Sequence, residues 1–516
     1  MVKKMKLSSK IVLGFMLVMM ICCISAVSAT DINGTDDHTD NIAVDEISEV
    51  VEDVEIDDVS EDVVGEECAC TGANSITIDN NNYTSYFSNG WTTTNNNLTF
   101  VGNFDAKTFG NFKINSPIVI NACGATFTNV GFDLKVSNIT LCGGKFIGDE
   151  TTNLTSVISS SADHSTIKGV TINVTAPENK DFYAINLVNS EKSQVLNNKI
   201  YYTDLYKNQL NYNYVIKAID SANVLIDGNK INANIPIKRV NYTRSGLNSD
   251  MVAGVAVYNC NYLNFTNNNL TTEITNISDI YPTLSAFLIL DSNHAKVAGN
   301  KIIMKDEKTG ENDTNYLYAI DVYRCNNIVI DNNTIKINSD GGQIIINGTG
   351  AAYGVQLTGP HTGVVVSSNV ITTANNGPNL GIYSQNYEGA TNINITGNTI
   401  NVTGRAGNHP WALVSGMELQ DDYAYVYGND ITVNNLAGND TSLCAYGISY
   451  SQWTDYDHVY DVYNNTVRLY NGTYAVFMTD STVGSHIMNN TLSTTYNSGD
   501  NAVSIDRSYN QVSGNN

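Results

Sequence analysis

Val297-Ala298-Gly299-Asn300-Lys301-Ile302 and Ile330-Asp331-Asn332-Asn333-Thr334-Ile335 share one pattern: an aliphatic residue, two variable positions, Asn, one variable position, a second aliphatic residue. The pattern recurs around Asn198, Asn229, Asn268, Asn300, Asn333, Asn369, Asn398, Asn429, Asn465 and Asn490, and a last copy begins at Val512 with Asn515. Successive asparagines stand 25 to 39 residues apart, which suits one coil of a β-solenoid whose loops vary while its core does not. A second register keeps step: Ile185, Ile216, Val255, Phe287 and Ile320 each precede the aliphatic residue of the first register by ten positions. Each short strand alternates aliphatic and polar residues, as in Ile393-Asn394-Ile395, so it is half-buried and not helical.

The pattern predicts an all-β chain, a single-stranded right-handed parallel β-helix. Stacked coils pair their backbone groups with the coils above and below at ~4.8 Å. An inward Asn at a fixed turn can bond the Asn of the next coil, which explains why the residue is Asn and not any polar one. Asn-x-Ser/Thr triplets form a second class, among them Asn138, Asn153, Asn173, Asn241, Asn264, Asn312, Asn347, Asn394, Asn401, Asn439, Asn464 and Asn471. None of the eleven ladder asparagines forms one, so inward asparagines are expected on the axis and outward ones on the surface, available as N-glycan acceptors.

Outward from the repeat, Lys3, Lys4, Lys6 and Lys10 precede an apolar run that ends at Val27-Ser28-Ala29, the form of an export signal cleaved after Ala29. An uncleaved anchor is the alternative. Residues 30–70 hold sixteen acidic side chains between Asp31 and Glu67 with no Lys or Arg, so a disordered acidic linker is expected. Residues 71–115 are expected to cap the helix and supply its first strands, and 116–516 to form the coils. The unfinished coil at Val512–Asn515 suggests the front part of a longer protein. Net charge is −24, and nearer −28 once the four leader lysines are removed, which excludes nucleic acid as a partner. No segment after the leader is apolar enough to span a membrane.

Seven cysteines follow the leader in neither a zinc pattern nor a full disulfide framework. Cys123 with Cys142 is the expected bridge, because they could fall on adjacent coils. Cys260 and Cys325 take the slot of Ser190, Ser221 and Ser292 and are expected to be small buried residues.

These features together resemble the adhesin-like surface proteins of methanogenic archaea, whose extracellular parts are parallel β-helix repeats. The residues that carry the resemblance are Ala26-Val27-Ser28-Ala29, Tyr83 to Phe87, Pro117-Ile118-Val119-Ile120 with Ala125-Thr126-Phe127, and the coils from Val195 onward. The resemblance implies a cell-surface role, in contact with other cells, host glycans or the wall. Such proteins usually carry further wall-binding or repeat domains, and none is visible here.

Chemistry is sparse by comparison. Six arginines are scattered in the exported chain, the signatures of galacturonan hydrolases are absent, and the histidines show no metal-ligand spacing. One region stands out. The interval between registers lengthens to thirteen residues before Ile395 and fourteen before Val462. There Tyr383, Tyr387 and Glu388, then Asp421, Asp422, Tyr423 and Tyr425, then Trp453, Asp455, Tyr456, Asp457 and His458 are expected on loops that stack onto one wall. Aromatic rings beside carboxylates suit a sugar surface, since rings stack on sugar faces while acids accept hydroxyl hydrogen bonds. No motif requires a cofactor; the acidic loops leave a Ca2+ site open. The expected function is non-catalytic binding of extracellular carbohydrate, wall polymer or another cell. A polysaccharide lyase or glycoside hydrolase using acids on the same face is the alternative, and a structural wall component a third reading.

Overall fold

The computed structural model describes residues 70, 74–105, 110–177, 180–204, 213–235, 252–274, 283–306, 316–339, 351–385, 392–407, 413–438, 444–450, 459–478, 484–495, 502–505 and 511–515. Both the leader and nearly all of the acidic segment lie outside them. Among the described residues one sheet has 28 strands and another 16, and helix is limited to a 3-10 turn at Tyr83–Ser85. Every described pairing is parallel except the small hairpin of Phe87–Ser88 with Trp91–Thr92. The chain is a right-handed parallel β-helix.

Each regular coil contributes three strands, one more than the two registers in the sequence. In one coil they are Val329–Asp331, Thr334–Ser339 and Ala351–Thr358. The first two series belong to the 28-stranded sheet, because the long strand Val119–Thr128 pairs with both Thr140–Cys142 and Lys145–Gly148. From Gly143 onward the two series are separated by a corner. The third series forms the 16-stranded sheet, where Ile185, Ile216, Val255, Phe287 and Ile320 are register partners as the sequence predicts.

The corner between first and second strands carries the asparagine ladder. The residue before each ladder Asn has positive φ, as at Asn197, Gly228, Asn332, Ser368 and Gly428, so the slot selects residues that tolerate the left-handed region. Asn333 shows the bonding: its side-chain amide donates to Asn369 Oδ1 (2.9 Å) and to the Val297 carbonyl (2.9 Å), while its own Oδ1 accepts from the Asn300 backbone (3.0 Å) and side chain (2.8 Å). The arrangement runs unbroken from Asn198 to Asn515. From Asn198 to Asn490 these residues are at most 2% exposed. Of the Asn-x-Ser/Thr class, Asn138, Asn153, Asn173, Asn264, Asn394, Asn401 and Asn464 are exposed and Asn471 is half-buried, while Asn241, Asn312, Asn347 and Asn439 lie outside the described residues.

A second ladder of small polar groups lines the opposite corner. The Ser190 backbone N–H donates to Ser221 Oγ (3.0 Å), that of Cys260 to Ser292 Oγ (2.9 Å), and that of Ser292 to Cys325 Sγ (3.3 Å). Burial first of all pushes both Cys260 and Cys325 up to about 12, so both are inert thiols in a packing slot.

Among the described residues coil stacking already includes the expected cap and first strands of 71–115: Ser75–Ile78 pairs with Asn97–Phe104, and that strand with Val119–Thr128. Phenylalanine takes the second aliphatic position there, with Phe104, Phe127 and Phe146 stacked at 5.2 and 4.9 Å, and Gly144 and Val170 stand where later coils have Asn, so the repeat is hidden at its front end. The bridge to Cys142 comes from Cys70, not Cys123. The register partner of Cys142 is Asn121, which sets Cys123 two residues along, whereas the Cα atoms of Cys70 and Cys142 are 6.0 Å apart. Cys123 is itself disulfide-bonded.

Candidate functional site

Strand alternation puts Tyr423, Tyr425 and Tyr427 on the outer face of Tyr423–Tyr427, with Ala424 and Val426 fully buried between them. The next coil stacks Val459, Asp461 and Tyr463 on the same three columns, and the one after adds His486 and Met488. Asp461 sits at the centre of this block. It accepts from the Tyr423 hydroxyl (2.9 Å) and the Tyr463 hydroxyl (3.3 Å), and His486 Nδ1 stands 2.7 Å from it. The Tyr425 ring lies 6.0 Å from Tyr427 and 6.1 Å from Tyr463, and Tyr463 stacks on His486 at 6.4 Å. Tyr423 and Tyr427 remain 38% and 42% exposed, so two ring faces are open to solvent within a fixed polar frame.

The electrostatics suit binding more than proton transfer. Burial, then the hydrogen bond to Asp461, pushes the Tyr423 phenol up to about 12. Burial and the Asp461 charge raise Tyr463 as well. Both stay protonated donors at neutral pH, so neither is poised as a general base. Glycoside hydrolysis needs a second carboxyl ~5 to 9.5 Å away. The column neighbours of Asp461 are Tyr425 and His486, and no second acid occurs among the described outward residues of these columns. Among the described residues no three His, Cys, Asp or Glu side chains gather as a metal site.

The expected site residues separate. Tyr423 and Tyr425 are on the wall, but on a strand and not on a loop. Tyr383 is half-buried on the other sheet, within Asn379–Gln385, its ring 5.4 Å from Tyr353. Asp422 is partly buried in the short turn after Val414–Gln420. Tyr387, Glu388, Trp453, Asp455, Tyr456, Asp457 and His458 lie outside the described residues.

Asp421 points into the coil and is fully buried, because only two residues separate the strands Val414–Gln420 and Tyr423–Tyr427. Its Oδ1 is 2.7 Å from His361 Nε2, with Ser384 Oγ 3.1 Å from the same nitrogen. His361 Nδ1 faces the Gly359 carbonyl at 2.8 Å. Serine and aspartate thus share one ring nitrogen, so this is no nucleophilic relay, in which they would bond opposite nitrogens. With an acceptor at each nitrogen the ring is held as imidazolium: burial opposes the charge, yet the Asp421 hydrogen bond and charge raise His361 above the usual histidine value. The pair is an internal brace spanning two coils. It exists because the turn from Gly359 to Gly363 is one residue longer than that from Arg324 to Asn327, which turns His361 into the slot of Cys325.

Asp461, Tyr463 and His486 were not singled out by sequence reasoning, although a signal existed. Tyr425, Asp461 and His486 each precede their ladder Asn by four residues, and Tyr427 and Tyr463 by two.

The fold and this wall define the class: a parallel β-helix protein with an aromatic, acid-centred outer face. No family model matches the chain, and no curated protein matches it. Among solved structures it is similar to the Dettilon tailspike protein gp208 at 13% identity and a TM-score of 0.37, covering 69% of this chain. The chain spans 62% of the length of that tailspike. It is similar to the periplasmic alginate epimerase AlgG at 11% identity and 0.36, over 73% of this chain and 84% of that one. It is also similar to the Streptococcus pneumoniae surface protein and adhesin PfbA at 12% identity and 0.37, over 81% and 91%. Identities at this level concern the fold alone.

Proposed function

We propose that this chain is an exported, adhesin-like surface protein that binds carbohydrate without turnover through the outer wall at Tyr423, Tyr425, Tyr427 and Tyr463. One observation carries the reading: four tyrosines from two consecutive coils surround a single carboxylate whose two oxygens already receive two phenols and face a histidine. The frame is rigid and open-faced, the combination that sugar stacking uses. Strong negative charge favours a neutral glycan over a polyanion. No helix among the described residues is long and apolar enough to cross a membrane. The test is a glycan array probed with the full chain, alongside assays for new reducing ends and unsaturated products. Binding that Tyr427→Ala abolishes, with no product released, is expected. Product release would move the chain to the lyase or hydrolase reading, and binding indifferent to Tyr427→Ala would refute the wall.

A further inference from the structure

The second strand series carries another polar surface, around the corner from the wall. Its outward residues stack in columns: Asn401 beside Thr432, and Thr403 beside Asn434 beside Tyr470. With Asn471 they line a shallow depression of about 600 Å³. The Tyr470 ring forms one side and is 43% exposed. Asn401, Thr403, Thr432 and Asn434 make no side-chain hydrogen bond to another described residue, so their amides and hydroxyls are open to a ligand. Asn471, in contrast, is fixed: its backbone N–H donates to Thr495 Oγ1 (2.9 Å) and its amide to the Asn435 carbonyl (3.1 Å).

We infer that this depression is a second carbohydrate subsite, specific for a neutral pyranose of a free oligosaccharide. The inference rests on the carbohydrate reading of the chain but not on the residues of the first wall. A ring face with amide donors and acceptors spaced one coil apart, ~4.8 Å, presents what a hydroxyl-rich ring requires: an apolar face to cover and groups that both give and take hydrogen bonds. No lining residue is charged, and the nearby cation Arg468 is paired with Asp430. A carboxylated sugar would find no partner there and would meet the repulsion of the whole chain.

Hydroxyl-radical footprinting of the full chain reads Tyr427 and Tyr470 separately, with mannohexaose, cellohexaose and maltohexaose as neutral probes and hexagalacturonate as the acidic one. Protection of Tyr470 by at least one neutral hexamer is expected. Asn434→Ala should raise the concentration for half-protection of Tyr470 about tenfold while leaving that of Tyr427 unchanged. Protection of Tyr427 without Tyr470 would overturn the second subsite and leave the first wall standing; protection of Tyr470 alone would do the reverse. Protection of neither ring by any neutral hexamer would sink both. Equal protection by hexagalacturonate would refute the neutral-sugar assignment. A glycan found by mass spectrometry on Asn401, whose triplet with Val402 and Thr403 lies in the depression, would mean that the chain fills the site itself.

Discussion

Oδ1 of Asn369 accepts both the backbone N–H and the side-chain amide of Asn333, each at 2.9 Å, although 36 residues separate the two in the chain. The same double bond repeats at every step of the ladder, so one side chain joins three coils. Asn333→Leu removes the acceptor for two buried donors of Asn300 and the donor to the Val297 carbonyl. Each orphaned group costs ~1 to 3 kcal/mol. Urea unfolding should therefore show a loss of at least ~1 to 3 kcal/mol, whereas the exposed Asn394→Ala should be near neutral. Equal midpoints for the two variants would refute an internal ladder.

That ladder is also why so much of the fold was legible. A residue that must repeat in space at one point of every coil repeats in sequence, and Asn is informative because few side chains can both give and take along an axis. The second strand of each coil, such as Thr334–Ser339, was not legible as a separate element, since Lys336 and Ile337 follow Asn333 so closely that the corner is marked only by positive φ at Asn332. The front coils escaped because Phe100, Phe112 and Phe132 fill the interior without a ladder Asn. In the site, Tyr423 and Tyr425 were found by their composition. His361 with Asp421 could not have been, because the contact depends on one inserted turn residue and a separation of 60 positions.

A column of glycine sets the inner contact of the 16-stranded sheet. At Gly416 a Cβ would stand 2.3 Å from Ile431 Cγ2 and 2.6 Å from the Gly447 carbonyl, and Gly354, Gly381 and Gly447 meet similar obstacles. Backbone of the next coil cannot swing aside as a side-chain tip can. Gly416→Val should destabilise by ~1 to 3 kcal/mol or more through overpacking, seen as a lower urea midpoint. A variant as stable as the parent would show that the coils separate more readily than the packing implies.

The bridge between Cys70 and Cys142 closes a span of 72 residues at the front of the helix. Loop closure of that length is worth about 4 kcal/mol in the chain-entropy account. Cys142→Ser should lower stability by up to that amount, and peptide mapping under non-reducing conditions should recover the two cysteines in one linked fragment. A linked Cys123 and Cys142 would contradict the register at Asn121.

His361 gives the fold a pH dependence whose sign can be worked out. Its folded-state value is raised above the ordinary 6.5, so its contribution is fully present below 6.5 and is lost as pH rises through the raised value. Stability should therefore fall as pH rises from about 6.5 through that raised value. In Asp421→Asn the raising partner is gone and burial opposes the charge, so that fall should disappear from the variant and show as a pH-dependent difference between parent and variant. Breaking the buried pair should also cost ~3 to 5 kcal/mol at low pH. Urea midpoints measured across that range check both parts, and parallel curves for parent and variant would remove His361 from the account.

Asp461 tests whether the outer wall binds or reacts. In a catalyst the carboxylate would need a free oxygen for a proton or for a sugar carbon. Here Oδ2 is taken by Tyr423, while Oδ1 receives Tyr463 and faces His486. The carboxylate is a positioning group, and its removal should act through the rings. Asp461→Ala frees both phenols, so glycan affinity should fall about tenfold, the scale of one lost orienting interaction, and the Tyr423 phenol should ionise below its value of about 12 because that hydrogen bond and charge no longer hold the proton. Asp461→Asn keeps an acceptor for one phenol and should recover part of the affinity but little of the shift, since the amide has no charge. Ultraviolet titration of each variant against Tyr423→Phe isolates the phenol, and calorimetry gives the affinity. Full affinity in Asp461→Ala would show that the rings hold their places unaided, and a wild-type chain that releases sugar while the variant does not would make Asp461 the catalyst that its hydrogen bonds argue against.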